Sequence, residues 1–293
     1  MRIDDVATWL MAPPIAVAGD ALPDLWRRSV LEVRMTPPPG FIVGPWSTGV
    51  VRGALGRALE RRRDTDAAAA LAHEFLFVRD LRITPGRSVP VPLLLAIEPA
   101  GCDVVLTATL VGLADAFRRS VFDALIEAIE TGLSVGSGTA RRLRPGRVTS
   151  ADWTRRERID VPLPTGPIRL VFDTPVRLGP RRALSSRWDD LVVGLADRIG
   201  RLARWQGLRV DMDLSAWRRR ADSLRYDDHA MYPVAWDRPT SRNGGARVPM
   251  AGLRGVLDIE NPMEPLHALL ALGETSHAGA HTALGLGRYR LIC

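Results

Sequence analysis

Apolar and polar residues alternate along the chain with two periods, which predict strands in some segments and helices in others. Residues 29–35 alternate one by one, as the residues of a half-buried strand do. After a Pro-Gly break, residues 47–63 carry apolar side chains at every fourth position, with Ser47 or Thr48 as the candidate N-cap of a helix. Together the two segments predict a strand followed by a helix.

The same order of elements occurs twice, and this repeat predicts the fold class. Further strands are expected at 92–97, 103–112, 168–176, 253–259 and 288–292, and further helices at 115–131, 186–206 and 265–272. Residues 218–248 are polar and contain Pro and Gly, so they are expected to be loop-rich. Strand, helix, two strands, helix and strand is the order of the ferredoxin-like βαββαβ unit. We therefore expect an α+β protein with two tandem ferredoxin-like, RRM-like domains, at residues 1–155 and 165–293.

The charge of the chain is basic and comes from arginine alone. There are 40 basic and 33 acidic residues, which gives a net charge of +7. Because no lysine is present, mechanisms that need one, such as Schiff-base chemistry or a P-loop, are excluded. Codon bias accounts for this usage as readily as function does, although arginine is the cation best suited to phosphate.

The sequence predicts neither a membrane segment nor a site for a metal or a cofactor. No apolar run approaches the ~18–20 residues of a membrane helix, so we expect no membrane partner and a cytoplasmic location. Cys102 and Cys293 have neither metal-ligand nor disulfide spacing, and no acidic cluster has metal-ligand spacing. We therefore expect neither a metal site nor a cofactor.

Two glycine-rich segments are the most distinctive local features. Residues 273–290, with Gly279, Gly285 and Gly287, lie between a predicted helix and the last predicted strand. A weaker glycine-rich segment, with Gly132, Gly136 and Gly138, follows a helix of the first half. Glycines let backbone amides approach a phosphate while nearby arginines supply charge, whereas the alternative is a tight loop without a ligand. A dinucleotide fold is not indicated, because there the glycines follow a strand and open a helix.

These features resemble the RAMP superfamily of CRISPR-associated proteins, which combine two ferredoxin-like halves with a glycine-rich loop before the last strand. The run His277-x-Gly279-x5-Gly285-Leu-Gly287-Arg-Tyr289 resembles the signature loop of that superfamily, and residues 253–260 resemble the strand before it. Residues 52–59 and 117–144 are similar to helical segments of the endoribonuclease family that processes CRISPR repeat transcripts.

The resemblance implies metal-independent cleavage of a repeat RNA on the 3′ side of its hairpin. The 2′-hydroxyl attacks the neighbouring phosphate, which leaves a 2′,3′-cyclic phosphate and a 5′-hydroxyl. Such a reaction needs a base, a cation for the oxyanion and an acid for the leaving oxygen. The family often has a histidine near the first helix, but the first histidine here is His73, so arginines that align and neutralise the phosphate are also considered. The candidate catalytic residues are His277, His281, Tyr226, Arg242 and Arg34.

The resemblance also implies contacts with RNA from the first helix and from both glycine-rich loops. The candidate RNA-binding residues are Arg52, Arg57, Gly136, Gly138, Arg141, Arg142, Arg144, Arg147, Gly279, Gly285, Gly287 and Arg288. The expected partners are the CRISPR repeat hairpin, the mature crRNA, to which the protein would stay bound, and other CRISPR effector subunits. Among the tryptophans, Trp46 is the candidate for stacking on a base.

Two alternatives remain open from the sequence alone. The missing histidine near the first helix favours a non-catalytic RAMP subunit that binds or caps guide RNA, whereas two complete halves with paired loops favour the endoribonuclease. The other alternative, outside the superfamily, is a basic protein whose glycine-rich loop binds a small anion.

Overall fold

The computed structural model describes residues 6, 8–10, 12–78, 80–84, 87–135, 142–162, 166–178, 187–210, 212–239, 247–260, 262 and 264–292. Four candidate site residues, Gly136, Gly138, Arg141 and Arg242, lie outside the described residues. None of the helices within these ranges has the length and apolar character needed to cross a membrane.

The first half contains helices and strands in the following order along the chain: β1 (Ile15–Val17), β2 (Arg28–Thr36), α1 (Ser47–Arg62), α2 (Ala67–His73), β3 (Arg82–Thr84), β4 (Arg87–Ser88), β5 (Leu93–Ala100), β6 (Asp103–Val111), α3 (Arg118–Thr131), β7 (Leu133–Val135), β8 (Arg142–Arg144) and β9 (Arg147–Arg156). A four-stranded antiparallel sheet has the order β5-β6-β2-β9. On β2, Leu31, Val33 and Met35 are buried while Glu32 and Arg34 are exposed, which is the predicted alternation.

The second half repeats this arrangement with the following elements: β10 (Ile168–Val176), α4 (Trp188–Leu202), β11 (Leu208–Val210), α5 (Leu214–Asp222), β12 (Arg225–Pro239), β13 (Arg247–Glu260), α6 (Glu264–Ser276) and β14 (Tyr289–Ile292). Its sheet has the order β12-β13-β10-β14 and is antiparallel. In both sheets the first strand of the βαββαβ unit lies between the third and the fourth. The predicted α+β fold with tandem ferredoxin-like units is confirmed, and the predicted domain boundaries stay a prediction.

Two local predictions are wrong. Residues 218–248 are not loop-rich where they are described, because they contain the end of α5 and all of β12. β12 lies at the edge of its sheet and is largely exposed, so it lacks the alternation that reveals a half-buried strand. Neither Ser47 nor Thr48 caps α1, since the Ser47 hydroxyl donates to the Ile42 carbonyl and the Thr48 hydroxyl to the Leu284 carbonyl.

The two halves are joined by strand pairing as well as by side chains. β1 pairs in parallel with β11, so the first strand among the described residues completes a small sheet with a strand of the second half. Nearby, the Trp205 indole donates to the Pro90 carbonyl at 3.0 Å, and the Gln206 amide donates to the Arg27 carbonyl at 2.6 Å. Buried residues of both halves belong to one continuous hydrophobic core.

A second, small apolar cluster consists of Trp46, Val234, Trp236, Met250 and Leu286. It joins the loop before α1 to the β12–β13 hairpin and to the glycine-rich loop before β14. The ring of Trp46 is packed in this cluster and lies 2.8 Å from the position of a Cβ added at Gly44. The candidate stacking residue is therefore engaged within the protein.

Candidate functional site

A cleft of about 470 Å³ lies between the two halves. It is lined by the loop before α1, the ends of β5 and β10, the middle of β13 and the start of β14, through Val43, Gly44, Pro45, Ile97, Glu98, Pro99, Asp173, Thr174, Pro175, Arg254, Arg288 and Arg290. On β10, Phe172 is buried in the core whereas the next residue, Asp173, lines the cleft. Successive side chains of a strand point to opposite faces, so the cleft lies on the face opposite to the one packed on the core.

An ion pair crosses the cleft from one half to the other, and two more lie on the wall formed by the second half. The Arg288 guanidinium pairs with the Glu98 carboxylate of the first half and lies 3.6 Å from the Asp173 carboxylate. Asp173 also pairs with Arg290 at 3.2 Å. Burial and the positive charge of Arg290 lower the pKa of Arg288, whereas the hydrogen bond that Arg290 donates to the Asp173 carboxylate raises the pKa of Arg290. Both carboxylates are therefore paired with arginines that line the cleft.

Arg254 is the exception among the arginines of the cleft. It is exposed on β13, and within the described residues it forms no ion pair. An arginine without a carboxylate partner keeps its five donors available for an anion such as a phosphate.

The glycine-rich loop before β14 is tightly packed. Gly279, Gly285 and Gly287 have φ values of +74°, +77° and +71°, which only glycine adopts readily. A Cβ at Gly287 would lie 1.8 Å from the Ala278 carbonyl oxygen, and one at Gly285 would lie 2.6 Å from the Thr48 hydroxyl. These glycines allow close packing of the loop on itself and on the first half.

The amides of this loop are directed toward the protein itself. The Gly285 N–H donates to the Thr282 carbonyl at 2.9 Å, and the Gly287 N–H donates to the Pro175 carbonyl at 3.0 Å. Two of the amides expected to face phosphate therefore already have acceptors. Binding of RNA by Gly279, Gly285 and Gly287 stays a prediction, and the observed contacts give them a packing role.

His277 is buried at 5% exposure, with φ of 59°. Burial, with a smaller effect of the Arg198 charge, lowers the pKa of His277 to about 3. Its Nδ1 atom has no hydrogen-bond partner among the described residues, and Arg198 donates to the neighbouring Ser276 carbonyl at 3.0 Å. In this position His277 stays neutral and is not among the residues that line the cleft, and its catalytic role stays a prediction.

His281 and Arg34 are the exposed candidates for catalysis. His281 has φ of 62° and precedes a 3-10 turn, Thr282–Leu284, which packs on β5 and on the start of α1. Arg34 lies on the outer face of β2, opposite Ser150 of β9. The structure does not bring these two residues into contact, and their catalytic roles stay predictions.

Tyr226 and Arg52 are held by structural contacts. The Tyr226 hydroxyl donates to the Ala221 carbonyl at 3.1 Å, and burial raises the pKa of this phenol. The Arg52 guanidinium donates to the Leu76 carbonyl at 2.6 Å and lies 4.4 Å from the centre of the Phe77 ring. Burial lowers the pKa of Arg52 to about 10, and these contacts direct its guanidinium inward. Neither side chain faces the cleft.

The other candidate RNA contacts lie on the surface. Arg57 is exposed on α1, and Arg142, Arg144 and Arg147 are exposed on β8 and β9, directly after the weaker glycine-rich segment. Within the described residues, these last three form no ion pair. Arg147 pairs with Thr36 across β2 and β9, so it shares the outer sheet face with Arg34.

Two features escaped sequence analysis. His229 and Asp227 form a close pair, with 2.5 Å between Nδ1 and the carboxylate, and this hydrogen bond raises the pKa of His229. Tyr232 is half exposed on β12 and lies opposite Arg254. Both features depend on β12 being a strand, which the sequence pattern did not predict. Within the described residues, no group of His, Cys, Asp and Glu is placed to hold a metal ion.

The fold defined by these two sheets is found in solved structures of Cas6 proteins. A Cas6 product complex matches with a TM-score of 0.53 and 15% identity, over 91% of this chain and 100% of that chain. A product complex of a second Cas6 protein matches with a TM-score of 0.50 and 19% identity, over 92% and 100%. At these identities the likeness establishes the fold. No protein-family model and no curated protein matches the sequence.

The class of fold is therefore that of proteins with tandem ferredoxin-like units. Within this class the chain has the fold of the solved Cas6 structures, and the match extends over 91–92% of this chain.

Proposed function

We propose that this protein is a CRISPR repeat endoribonuclease that binds its RNA in the cleft between the two halves. The observation that carries the proposal is the presence of Arg254, Arg288 and Arg290 in one cleft, in a fold shared with Cas6 product complexes. Arginine is the cation best suited to phosphate oxygens, since its planar fork donates to two of them at once. The RNA remains bound after cleavage, and other effector subunits bind the complex.

The proposed reaction is attack of a 2′-hydroxyl on the adjacent phosphate, without a metal. His281 takes the proton from the 2′-oxygen, because it is the exposed histidine of the loop whereas His277 is buried. Arg288 and Arg254 neutralise the developing charge on the phosphate. As the 2′-oxygen bonds to phosphorus, the P–O5′ bond breaks and the leaving 5′-oxygen takes a proton from water, so the products are a 2′,3′-cyclic phosphate and a 5′-hydroxyl.

The proposed RNA path continues over the outer face of the first sheet. Arg34 and Arg147 share this face, and Arg142 and Arg144 lie on β8, shortly before Arg147 in the chain. Double-stranded RNA is recognised mostly by shape and phosphate contacts, which exposed arginines without carboxylate partners provide. Affinity should therefore fall steeply with salt.

The test is incubation of the purified chain with end-labelled repeat RNA in EDTA. One cut with a cyclic-phosphate end supports the proposal, and RNA with a 2′-deoxy nucleotide at the cut should bind but stay intact. His281→Ala should lower the cleavage rate without changing RNA affinity. Weak binding of repeat RNA, no tighter than that of an unrelated hairpin, contradicts the proposal.

A non-catalytic subunit that holds guide RNA is the second candidate. The burial of His277 favours it, because the loop then presents one exposed histidine instead of two. Tight binding of repeat RNA without any cut in the same experiment supports this candidate.

A further inference from the structure

Tyr232 differs from the other two tyrosines of the chain in its surroundings. Tyr289 is buried and donates to the Leu270 carbonyl at 2.7 Å, and Tyr226 donates to Ala221. Tyr232 is 50% exposed, on the edge strand of the second sheet. A half-exposed phenol ring on a sheet face presents an apolar surface to solvent.

The direction of the Tyr232 side chain follows from its neighbours on β12. Val234 and Trp236, two and four residues further along, pack in the cluster with Trp46 and Leu286, which faces the glycine-rich loop. Alternate residues of a strand share a face, so Tyr232 points to the same side of the sheet. This is the side on which the cleft opens.

Arg254 lies directly opposite Tyr232 on the neighbouring strand β13. Residues paired in this way have Cβ atoms about 5 Å apart, so the phenol ring and the guanidinium are neighbours. Arg254 lines the cleft, and the nearby acids are already engaged, Asp173 with Arg290 and Glu98 with Arg288. An aromatic surface is thus next to an arginine with no carboxylate partner among the described residues.

A β-bulge on β12 lies shortly before Tyr232. The register shifts between Asp227 and Ala230, which pair with Asp258 and Val256, and the next residue of β13, Gly255, pairs with Met231 and has φ of +129°. A Cβ at Gly255 would lie 2.1 Å from the Ala230 carbonyl oxygen, so the two strands approach closely here. Bulges increase the local twist and redirect the side chains that follow, here Tyr232 and Arg254.

We propose that Tyr232 and Arg254 form a stacking site for one unpaired nucleotide of the bound RNA. The base lies on the phenol ring, and Arg254 contacts the phosphate of the same nucleotide. Stacking on an aromatic beside a cation is how proteins hold single strands without reading their sequence. The inference rests on the proposed function, and it adds that the RNA leaves the cleft as a single strand across β12 and β13.

The test uses the full chain and repeat RNAs in which single unpaired positions carry 2-aminopurine. One position should change in fluorescence on binding to the wild-type protein, and Tyr232→Ala should abolish that change. The same variant should weaken binding between about 5-fold and 100-fold, and Tyr232→Phe should bind nearly as wild type. Trp153→Ala is the matched control, because Trp153 is a half-exposed aromatic on the edge strand of the other sheet.

Arg254→Ala separates the phosphate contact from the stacking contact. It should reduce the slope of log affinity against log salt by about one, whereas Tyr232→Ala should leave this slope unchanged. If Tyr232→Ala retains wild-type affinity and fluorescence while the wild-type protein binds and cuts repeat RNA, the stacking site is wrong and the proposed function stands. If the wild-type protein binds no RNA, both are wrong.

Discussion

The guanidinium of Arg288 pairs with the carboxylate of Glu98, which joins the start of β14 in the second half to the end of β5 in the first. The two residues lie on opposite walls of the cleft, so the pair closes part of the surface that a phosphate would contact. The Glu98 carboxylate thus contacts the guanidinium that would otherwise bind an RNA phosphate.

Glu98→Gln should therefore strengthen RNA binding. Removing the carboxylate frees Arg288 at the cost of one partly exposed ion pair, typically worth about 0.2–1 kcal/mol, so the gain is expected to be between about 1.4-fold and 5-fold in Kd at low salt. Glu60→Gln is the control, since exposed Glu60 on α1 changes the net charge equally. Equal effects of the two variants would show that Glu98 does not compete with RNA.

The close approach at Gly287 predicts a large loss of stability for Gly287→Ala. The added Cβ would meet the Ala278 carbonyl oxygen at 1.8 Å with φ at +71°, so the expected cost exceeds about 2 kcal/mol in the free energy of unfolding. Gly194→Ala is the matched control, because Gly194 lies in α4 with open space around its Cβ position. It should gain about 0.5–1 kcal/mol in urea unfolding. Similar values for both variants would contradict the packing role of the loop.

Burial of His277 predicts a pH dependence of stability. Its pKa is about 3 in the folded protein, against about 6.5 in the unfolded chain. Between these values the unfolded chain binds a proton that the folded protein does not, so stability falls as the pH falls below about 6.5. The expected loss is about 1.4 kcal/mol per pH unit from this residue.

His277→Asn should remove this dependence, because asparagine tolerates the positive φ of the site without titrating. His281→Asn is the control, since His281 has nearly the same φ but is exposed. Urea unfolding at pH 4, 5, 6 and 7 measures the effect. An unchanged slope in His277→Asn would show that another group causes it.

The His229–Asp227 pair predicts a change in the pKa of His229 that NMR can measure. The hydrogen bond to Asp227, with its negative charge, raises the pKa of His229, so Asp227→Asn should lower it toward the ordinary value. Histidine ring signals measured between pH 5 and 9 report this pKa. Asp123→Asn, on α3 of the other half, should leave the titration unchanged. A titration of His229 that is identical in Asp227→Asn would rule out the pair in solution.

The arginines after the weaker glycine-rich segment should determine the salt dependence of RNA binding. Replacement of Arg142, Arg144 or Arg147 by Ala should each reduce the slope of log affinity against log salt by about one, if each contacts one phosphate. Arg61→Ala should have little effect on this slope, because Arg61 already pairs with Glu127 at 2.7 Å. Equal slopes for all four variants would place the RNA elsewhere.

The elements that pack one face on the core could be predicted from the sequence. β2 and α1 bury alternate and every-fourth residues, respectively, so their periods are visible in the chain. β12 could not be predicted, because an exposed edge strand needs no apolar face and its polar residues resemble a loop. Its pairing with β13 depends on backbone hydrogen bonds, which leave little trace in composition.

The candidate site was predicted less well, for a different physical reason. The loop motif marked His277 and His281 alike, and their different exposure follows from contacts with distant residues, such as Ala280 with the Arg177 carbonyl. Likewise, the Arg288–Glu98 pair joins residues of opposite halves, and no local pattern indicates such a contact.

The parallel pairing of β1 with β11 also affects the order in which the protein can fold during synthesis. β1 is made well before its partner, which begins at Leu208. At about 5–20 residues per second, a ribosome takes roughly ten to forty seconds to reach that strand. Throughout this interval Ile15–Val17 has its edge open to other chains, which makes the nascent protein most vulnerable to misassembly before its second half emerges.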